Sequence, residues 1–394
     1  MMKVLHIVGD SKWGGGGAII LALADMAHDL GWDVGMLTTD PVCQGMARAH
    51  GVEIVDLDVI WRNIRPIRDL GGLHTLYRFL RANHYDVVHT HTSKAGFVGR
   101  IAARAAGVPV VIHTAHSFPF HEDSSPAFAF FYRCLEKCAA RFCDRIVTVS
   151  RYHRDWGIRA GIADGGRLVA IPNGISEDNI AVTKGPAQIR AELGIPSDEV
   201  FIFTPGRLFA GKGLEYLIDC IPALTRNLSR SFRIVLAGDG ILRPPLEQRA
   251  AGLQGRNKVL FLGFRTDIGN LLNACDIVVL PSLHEGLSIA LLEAMAARKP
   301  IVATSIGGNL EPTANGRGAM IVPPKSSTAL AAAITTLLHS PELAAEKAAN
   351  ARSLYSLNHT LDAMTTRYKA LYEELTSNYI VDSEDRKSKV TYEY

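Results

Sequence analysis

Short apolar runs alternate with helix-length amphipathic segments along this chain, and the alternation occurs in two successive blocks. The first block holds strand-like runs at 3–8 (KVLHIV), 33–38 (DVGMLT), 86–91 (DVVHTH), 108–113 (VPVVIH) and 145–150 (RIVTVS). The second follows residue 198, with runs at 200–206 (VFIFTPG), 232–240 (FRIVLAGDG), 258–263 (KVLFLG), 276–282 (DIVVLPS) and 300–305 (PIVATS). Runs this continuously apolar suit strands buried on both faces. Connections long enough for a helix suit parallel pairing with right-handed crossovers. The expected fold is therefore α/β, with two doubly wound Rossmann-like domains facing across a cleft. The first domain is expected over 1–182 and the second over 183–356, the boundary lying near IPNGISEDN and the polar KGP. A helix over 357–381 is expected to pack back on the first domain, and the charged tail 382–394 to be disordered.

Bulk properties narrow the functional classes. A length of 394 residues supports two domains of ordinary size. A formal charge of +3 over that length is no signature of nucleic-acid binding. The opening MMKVLHIVGD does not read as a secretory signal, and no apolar stretch reaches the roughly 20 residues that span a bilayer. The six cysteines form no CxxC pair, so free buried thiols in a cytoplasmic protein are expected rather than a disulfide framework.

In open α/β domains ligands gather at the carboxyl ends of the strands, so the loops that follow strands carry the candidates. After the first strand come four glycines, Gly14 to Gly17, leading into a helix. They allow close backbone approach, and the helix start favours an anion; a plain flexible loop is the competing reading. His89, His91, His113, His116 and His121 cluster at two neighbouring strand ends. No spacing of known metal type accompanies them, and no metal is expected. His116 is the better candidate for a polar substrate contact, with an ordinary loop histidine as the plainer role. In the second block Arg207 and Lys212 flank a turn just ahead of a helix. Two cations oppose the dipole there, and a bound diphosphate would remove the conflict. Gly238 and Arg265, at two further strand ends, suit contact with a nucleotide base.

The segment HEGLSIALLEAMA sets Glu285 in a loop and Glu293 inside the helix that follows. Eight helical steps advance about 12 Å, so the two carboxylates suit two ends of one elongated ligand. The amides of Gly286, Leu287 and Ser288 would hold its anionic middle. Glu293 has Leu291, Leu292, Ala294 and Met295 as neighbours, so its side chain must leave the core or be paired.

Glu285 and Glu293 spaced as E-x7-E, Gly206-Arg207 with Lys212-Gly213, the PNG at 172–174 and the glycine-rich first loop together resemble the retaining glycosyltransferases of GT-B architecture, family 4. The resemblance runs over about residues 3–376. The stretch from His89 to His121 also looks like members that build bacterial surface polysaccharides. It implies a sugar nucleotide, UDP-linked by preference, held by the second domain and an acceptor held mainly by the first. Arg207 and Lys212 would neutralise the donor diphosphate in place of a metal. Glu285 would bind sugar hydroxyls, Glu293 the ribose, and Gly286–Ser288 sugar and phosphate. His116 would reach the sugar near the reacting carbon, and Gly15 and Gly16 would close over the diphosphate. Ser288 departs from the family, many members of which carry proline there, and this leaves the donor sugar open.

The implied reaction is transfer of a hexose or N-acetylhexosamine from a UDP-sugar to a glycan, lipid-linked acceptor in bacterial polysaccharide biosynthesis, with no cofactor. A sugar-nucleotide epimerase on the same scaffold and a non-catalytic sugar-binding protein are the alternatives. Residues 59–84 carry five arginines against one aspartate, interleaved with Trp61, Tyr77 and Phe79. They suit peripheral contact with the inner face of the plasma membrane, or equally a solvated basic helix face.

Overall fold

The computed structural model of the chain describes residues 1–9, 14–61, 65–121, 124–252 and 258–390. The chain divides into two compact units, Met1–Asn173 together with the segment from Leu361 onward, and Gly174–Thr360.

Among the described residues the first unit holds seven parallel strands. These are β1 (Lys3–Gly9), β2 (Asp33–Thr38), β3 (Glu53–Ile54), β4 (Val87–His91), β5 (Val110–Ala115), β6 (Arg145–Thr148) and β7 (Leu168–Ala170). Their order across the sheet is β3-β2-β1-β4-β5-β6-β7, so the winding reverses between β1 and β4. Leu5, Ile7, Val88, Val111 and Ile146 from the central strands are fully buried, as parallel strands covered on both faces require. The edge strands β3 and β7 are two and three residues long and gave no apolar run to read.

The second unit repeats the plan with six parallel strands. They are β8 (Val200–Pro205), β9 (Phe232–Ala237), β10 (Lys258–Gly263), β11 (Ile277–Leu280), β12 (Ile301–Thr304) and β13 (Met320–Val322). The order is β10-β9-β8-β11-β12-β13, with the reversal between β8 and β11. Those two strands pair in register, Ile277 opposite Ile202 and Val278 opposite Phe203. Their carboxyl ends, and the loops that leave them, are therefore neighbours. This is the switch point at which an open sheet has room for a ligand.

The helix Leu361–Val390 belongs to the first unit. Its Tyr372 hydroxyl lies 2.6 Å from His89 Nδ1 and its Tyr368 hydroxyl 3.1 Å from Thr114 Oγ1, while Trp32 stacks on the Tyr372 ring at 5.6 Å. The charged stretch from Asp382, expected to lack regular structure, continues this helix to Val390. Residues 391–394 lie outside the described residues.

The first helix starts at Gly15, earlier than the apolar pattern from Ala18 suggests, so Gly15 and Gly16 form its first turn rather than a preceding loop. A Cβ on Gly16 would meet nothing within 4 Å. All six cysteines are free; Cys43, Cys143, Cys220 and Cys275 are buried, whereas Cys134 and Cys138 are exposed, contrary to the expectation of buried thiols. No helix among the described residues is long and apolar enough to cross a membrane.

Candidate functional site

Two loops meet at the switch point of the second sheet. The one leaving β8 runs through Gly206, Arg207 and Lys212 into Gly213, which adopts φ +58°. A Cβ on Gly213 would stand 2.3 Å from the Pro281 carbonyl oxygen, so only glycine allows this approach. The loop leaving β11 is tied back by the Leu283 amide, which donates to the Gly211 carbonyl at 2.8 Å. This backbone contact fixes the two loops against each other before any side chain is considered.

The side chains then follow. Lys212 forms an ion pair with Glu285, the two being 17% and 14% exposed. The Ser282 hydroxyl donates to the same carboxylate oxygen, Glu285 Oε1, at 3.0 Å. Ser282 is held in turn through its carbonyl, which accepts from Thr304 Oγ1 at 2.5 Å, and Asn309 Nδ2 donates to the Thr304 carbonyl at 3.1 Å. Gly308 packs so tightly on this loop that an added Cβ would lie 2.4 Å from the Glu285 carbonyl oxygen. Glu285 is thus held from three sides. Ser282, Thr304, Gly308 and Asn309 were not singled out from sequence, although the doublet Gly307-Gly308 follows a strand end as the other candidate loops do.

Glu293 lies in the helix Ile289–Ala296 that follows Glu285. Burial pushes its carboxyl up to about 8, with Lys212 pulling in the opposite direction. One lysine therefore acts on both carboxylates of the E-x7-E segment. Ser288 is buried at the helix start, and its side chain makes no capping hydrogen bond there. The helix start is the natural place for a ligand oxygen.

Other expected residues stand apart from this pair. Arg207 is exposed, its guanidinium 5.3 Å from the Phe209 ring centre. Arg265 is held bidentately by Asp267, at 2.7 and 2.6 Å. The Gly238 amide donates to the Gly263 carbonyl at 2.7 Å. The same glycine adopts φ +149°, and a Cβ there would lie 2.0 Å from the Gly206 carbonyl oxygen.

In the first unit His6, His89 and His91 are buried and form a chain with the part-buried His116 at the ends of β4 and β5. His116 Nε2 is 3.4 Å from His91 Nδ1, and His91 Nε2 is 3.1 Å from His6 Nδ1. His89 joins through ring contact and directs Nε2 to Thr114 Oγ1 at 2.7 Å. Burial pushes the His116 imidazole down to about 4 and His6 down to about 3, so these rings are neutral near pH 7. His6, His89 and His91 bring one nitrogen each within 4.8 Å of one another, a separation that could hold a metal ion. Both nitrogens of His89 are already engaged by Tyr372 and Thr114, so a metal there would have to displace one of these contacts. His6 escaped notice in sequence because it lies inside the apolar run of β1.

A lysine, two carboxylates and a helix start thus gather at the switch point of one parallel sheet, an arrangement able to accept an elongated, polyhydroxylated anion. Residues 187–354 match the model of glycosyl transferases group 1, and residues 13–179 match that of glycosyltransferase family 4. An Escherichia coli UDP-Gal:alpha-D-GlcNAc-diphosphoundecaprenol alpha-1,3-galactosyltransferase is 36% identical over 253 residues, which is 63% of this chain and 65% of that protein. An uncharacterized glycosyltransferase of Methanocaldococcus jannaschii, MJ1607, is 30% identical over 66% of this chain and 67% of its own length. The Anabaena Alr3699/HepE structure in complex with UDP-glucose superposes with a TM-score of 0.82 at 24% identity, covering 95% of this chain and 100% of that one. The chain belongs to the family 4 glycosyltransferases of GT-B fold.

Proposed function

We propose that the chain is a retaining, metal-independent transferase that moves a hexose or N-acetylhexosamine from a UDP-sugar to a lipid-linked glycan in bacterial polysaccharide biosynthesis. One observation carries the reading: Lys212 and Glu285 are joined across the two switch-point loops, with the Glu293 carboxyl on the next helix. The E. coli relative supports a UDP-sugar donor and a diphosphate-linked polyprenol acceptor. Transfer from UDP-galactose, itself alpha-linked, into an alpha linkage is retention, which supports the stereochemical part.

Departure of a nucleoside diphosphate builds negative charge on the leaving oxygen. Lys212 and Arg207 would meet that charge as fixed cations, with no reorganisation at the moment of bond cleavage. Glu285, pre-oriented by Ser282, would accept hydrogen bonds from sugar hydroxyls while sharing Lys212 with the phosphate. Glu293 would take the ribose hydroxyls, and the amides of Gly286, Leu287 and Ser288 would take sugar and phosphate oxygens. Gly238 and Arg265 are assigned to the base. In the first unit, the neutral imidazole of His116 is assigned to a substrate hydroxyl and Gly15 and Gly16 to a substrate phosphate. Residues 59–84 are assigned to contact with the inner face of the plasma membrane.

The test is a turnover screen of UDP- and GDP-sugars against a GlcNAc-diphosphopolyprenol acceptor, with and without EDTA, reading the product anomer by NMR. Lys212→Ala and Glu285→Ala should each lower turnover by about 100-fold or more. Full activity in both variants, or turnover that requires a metal, overturns the assignment.

A further inference from the structure

The helix Pro126–Ala139 carries an exposed aromatic face that the donor chemistry leaves unused. Phe128, Phe130 and Phe131 are 45%, 60% and 52% exposed. At about 100° per residue, Phe130, Phe131, Cys134 and Cys138 share one side of the helix, and Arg133 and Lys137 run along its edge. The Arg133 guanidinium lies 5.6 Å from the Phe130 ring centre. The one acid of this helix, Glu136, points inward and is held by Arg100 at 2.8 Å.

The helix Pro66–Asn83 repeats this chemistry. Ile67 and Leu70 at its start are 90% and 68% exposed, beside exposed Arg65 and Arg68. Arg68 lies 4.3 Å from the Trp61 ring centre. Asp69, the acid of this helix, is bound by Lys94 at 2.7 Å. An apolar groove of about 520 Å³ runs along its contact with the next helix, Ser93–Ala106, and is lined by Ile67, Leu70, Tyr77 and Ile101. The connections β3 to β4, β4 to β5 and β5 to β6 all advance in one direction across the sheet. Right-handed crossovers therefore set all three helices on one face, with Ser93–Ala106 in contact with both neighbours. Glu122 and Asp123, ahead of the aromatic helix, lie outside the described residues.

We propose that this face of the first unit docks on an anionic lipid surface. Phe130 and Phe131 on one flank and Ile67 and Leu70 on the other enter the interfacial layer, while Arg65, Arg68, Arg133 and Lys137 meet headgroup phosphates. The charge pattern selects this occupant: the helices present cations whose acids are already internally paired. A second copy of the same face would oppose cation to cation, whereas an anionic bilayer supplies negative charge above an apolar layer. The proposal rests on the lipid-linked acceptor reading, because such an acceptor is met at a bilayer. It adds the aromatic helix, which the basic stretch 59–84 does not include.

The test is co-sedimentation of the full chain with vesicles of equal parts phosphatidylglycerol and phosphatidylcholine, and with phosphatidylcholine alone. Binding to the anionic vesicles is expected, weakening with salt. Phe130→Ser/Phe131→Ser and Arg133→Glu/Lys137→Glu should each lower the partition at least about tenfold. Melting temperature and UDP-sugar binding should stay unchanged, since these side chains are exposed. Wild-type partition in both variants overturns the proposal, as does a dimer in light scattering that Phe130→Ser/Phe131→Ser dissociates. If vesicle binding fails while a detergent-dispersed lipid-linked acceptor is still glycosylated, docking is wrong and the acceptor reading stands. If vesicles bind as predicted but only water-soluble acceptors are used, the acceptor reading fails and docking stands.

Discussion

Replacing Lys212 by methionine removes one partner of an ion pair whose side chains are 17% and 14% exposed. Among the described residues, Glu285 would keep the Ser282 hydroxyl, 3.0 Å away, as its side-chain partner. Stranding one charge of a well-buried pair costs about 3 kcal/mol, the lower end of the usual range because neither group is wholly buried. Spread over a unit of Gly174–Thr360, that corresponds to a fall of roughly 6–12 °C in melting temperature. Adding Glu285→Gln removes the stranded charge. The double variant Lys212→Met/Glu285→Gln should therefore recover to within about 1 kcal/mol of the parent while remaining inactive. Urea and thermal unfolding of the parent, both single variants and the double variant provide the cycle, with transferase assays on the same preparations. A double variant as unstable as the sum of the singles would refute the pairing. A double variant that regains activity along with stability would refute the functional role.

Three further outcomes follow from the same geometry. Burial holds Glu293 near 8 in the folded chain against an ordinary 4.5, so the folded state keeps a proton that the unfolded chain releases between those values. The stability this contributes is present below about 4.5 and is lost as pH rises toward 8, a slope that Glu293→Gln should flatten in pH-dependent melting curves. Ribose hydroxyls donate best to a carboxylate, so UDP-sugar binding near neutrality should release a proton, measurable by calorimetry in buffers of different ionisation heat. Gly213→Ala would place its Cβ 2.3 Å from the Pro281 carbonyl at φ +58°, and Gly308→Ala would place its own 2.4 Å from the Glu285 carbonyl. Each should raise the donor KM by about tenfold or more and lower stability by about 1–3 kcal/mol.

Much of the architecture was legible in the sequence because parallel strands buried on both faces write themselves as unbroken apolar runs, as in Val200–Pro205 and Ile277–Leu280. The short edge strands Glu53–Ile54, Leu168–Ala170 and Met320–Val322 were not, since two or three residues carry no period. Glu285 and Lys212 stood out singly through their loops and spacing. Their direct pairing depends on β8 lying beside β11 across 73 residues, which no local pattern records. The same holds for His6, whose contacts with His89 and His91 exist only because β1 and β4 are neighbours. The helical run beyond Asp382 was missed because apolar periodicity, the signal sought, is not what supports it.

The loops leaving β8 and β11 are proposed to hold the nucleotide sugar. Hydrogen–deuterium exchange of the full chain with and without UDP tests it most directly. Protection is predicted in 204–213 and 281–293, with that in 281–293 weakened by Lys212→Met. Unchanged exchange in both segments, with protection confined to other strand ends, would contradict the account.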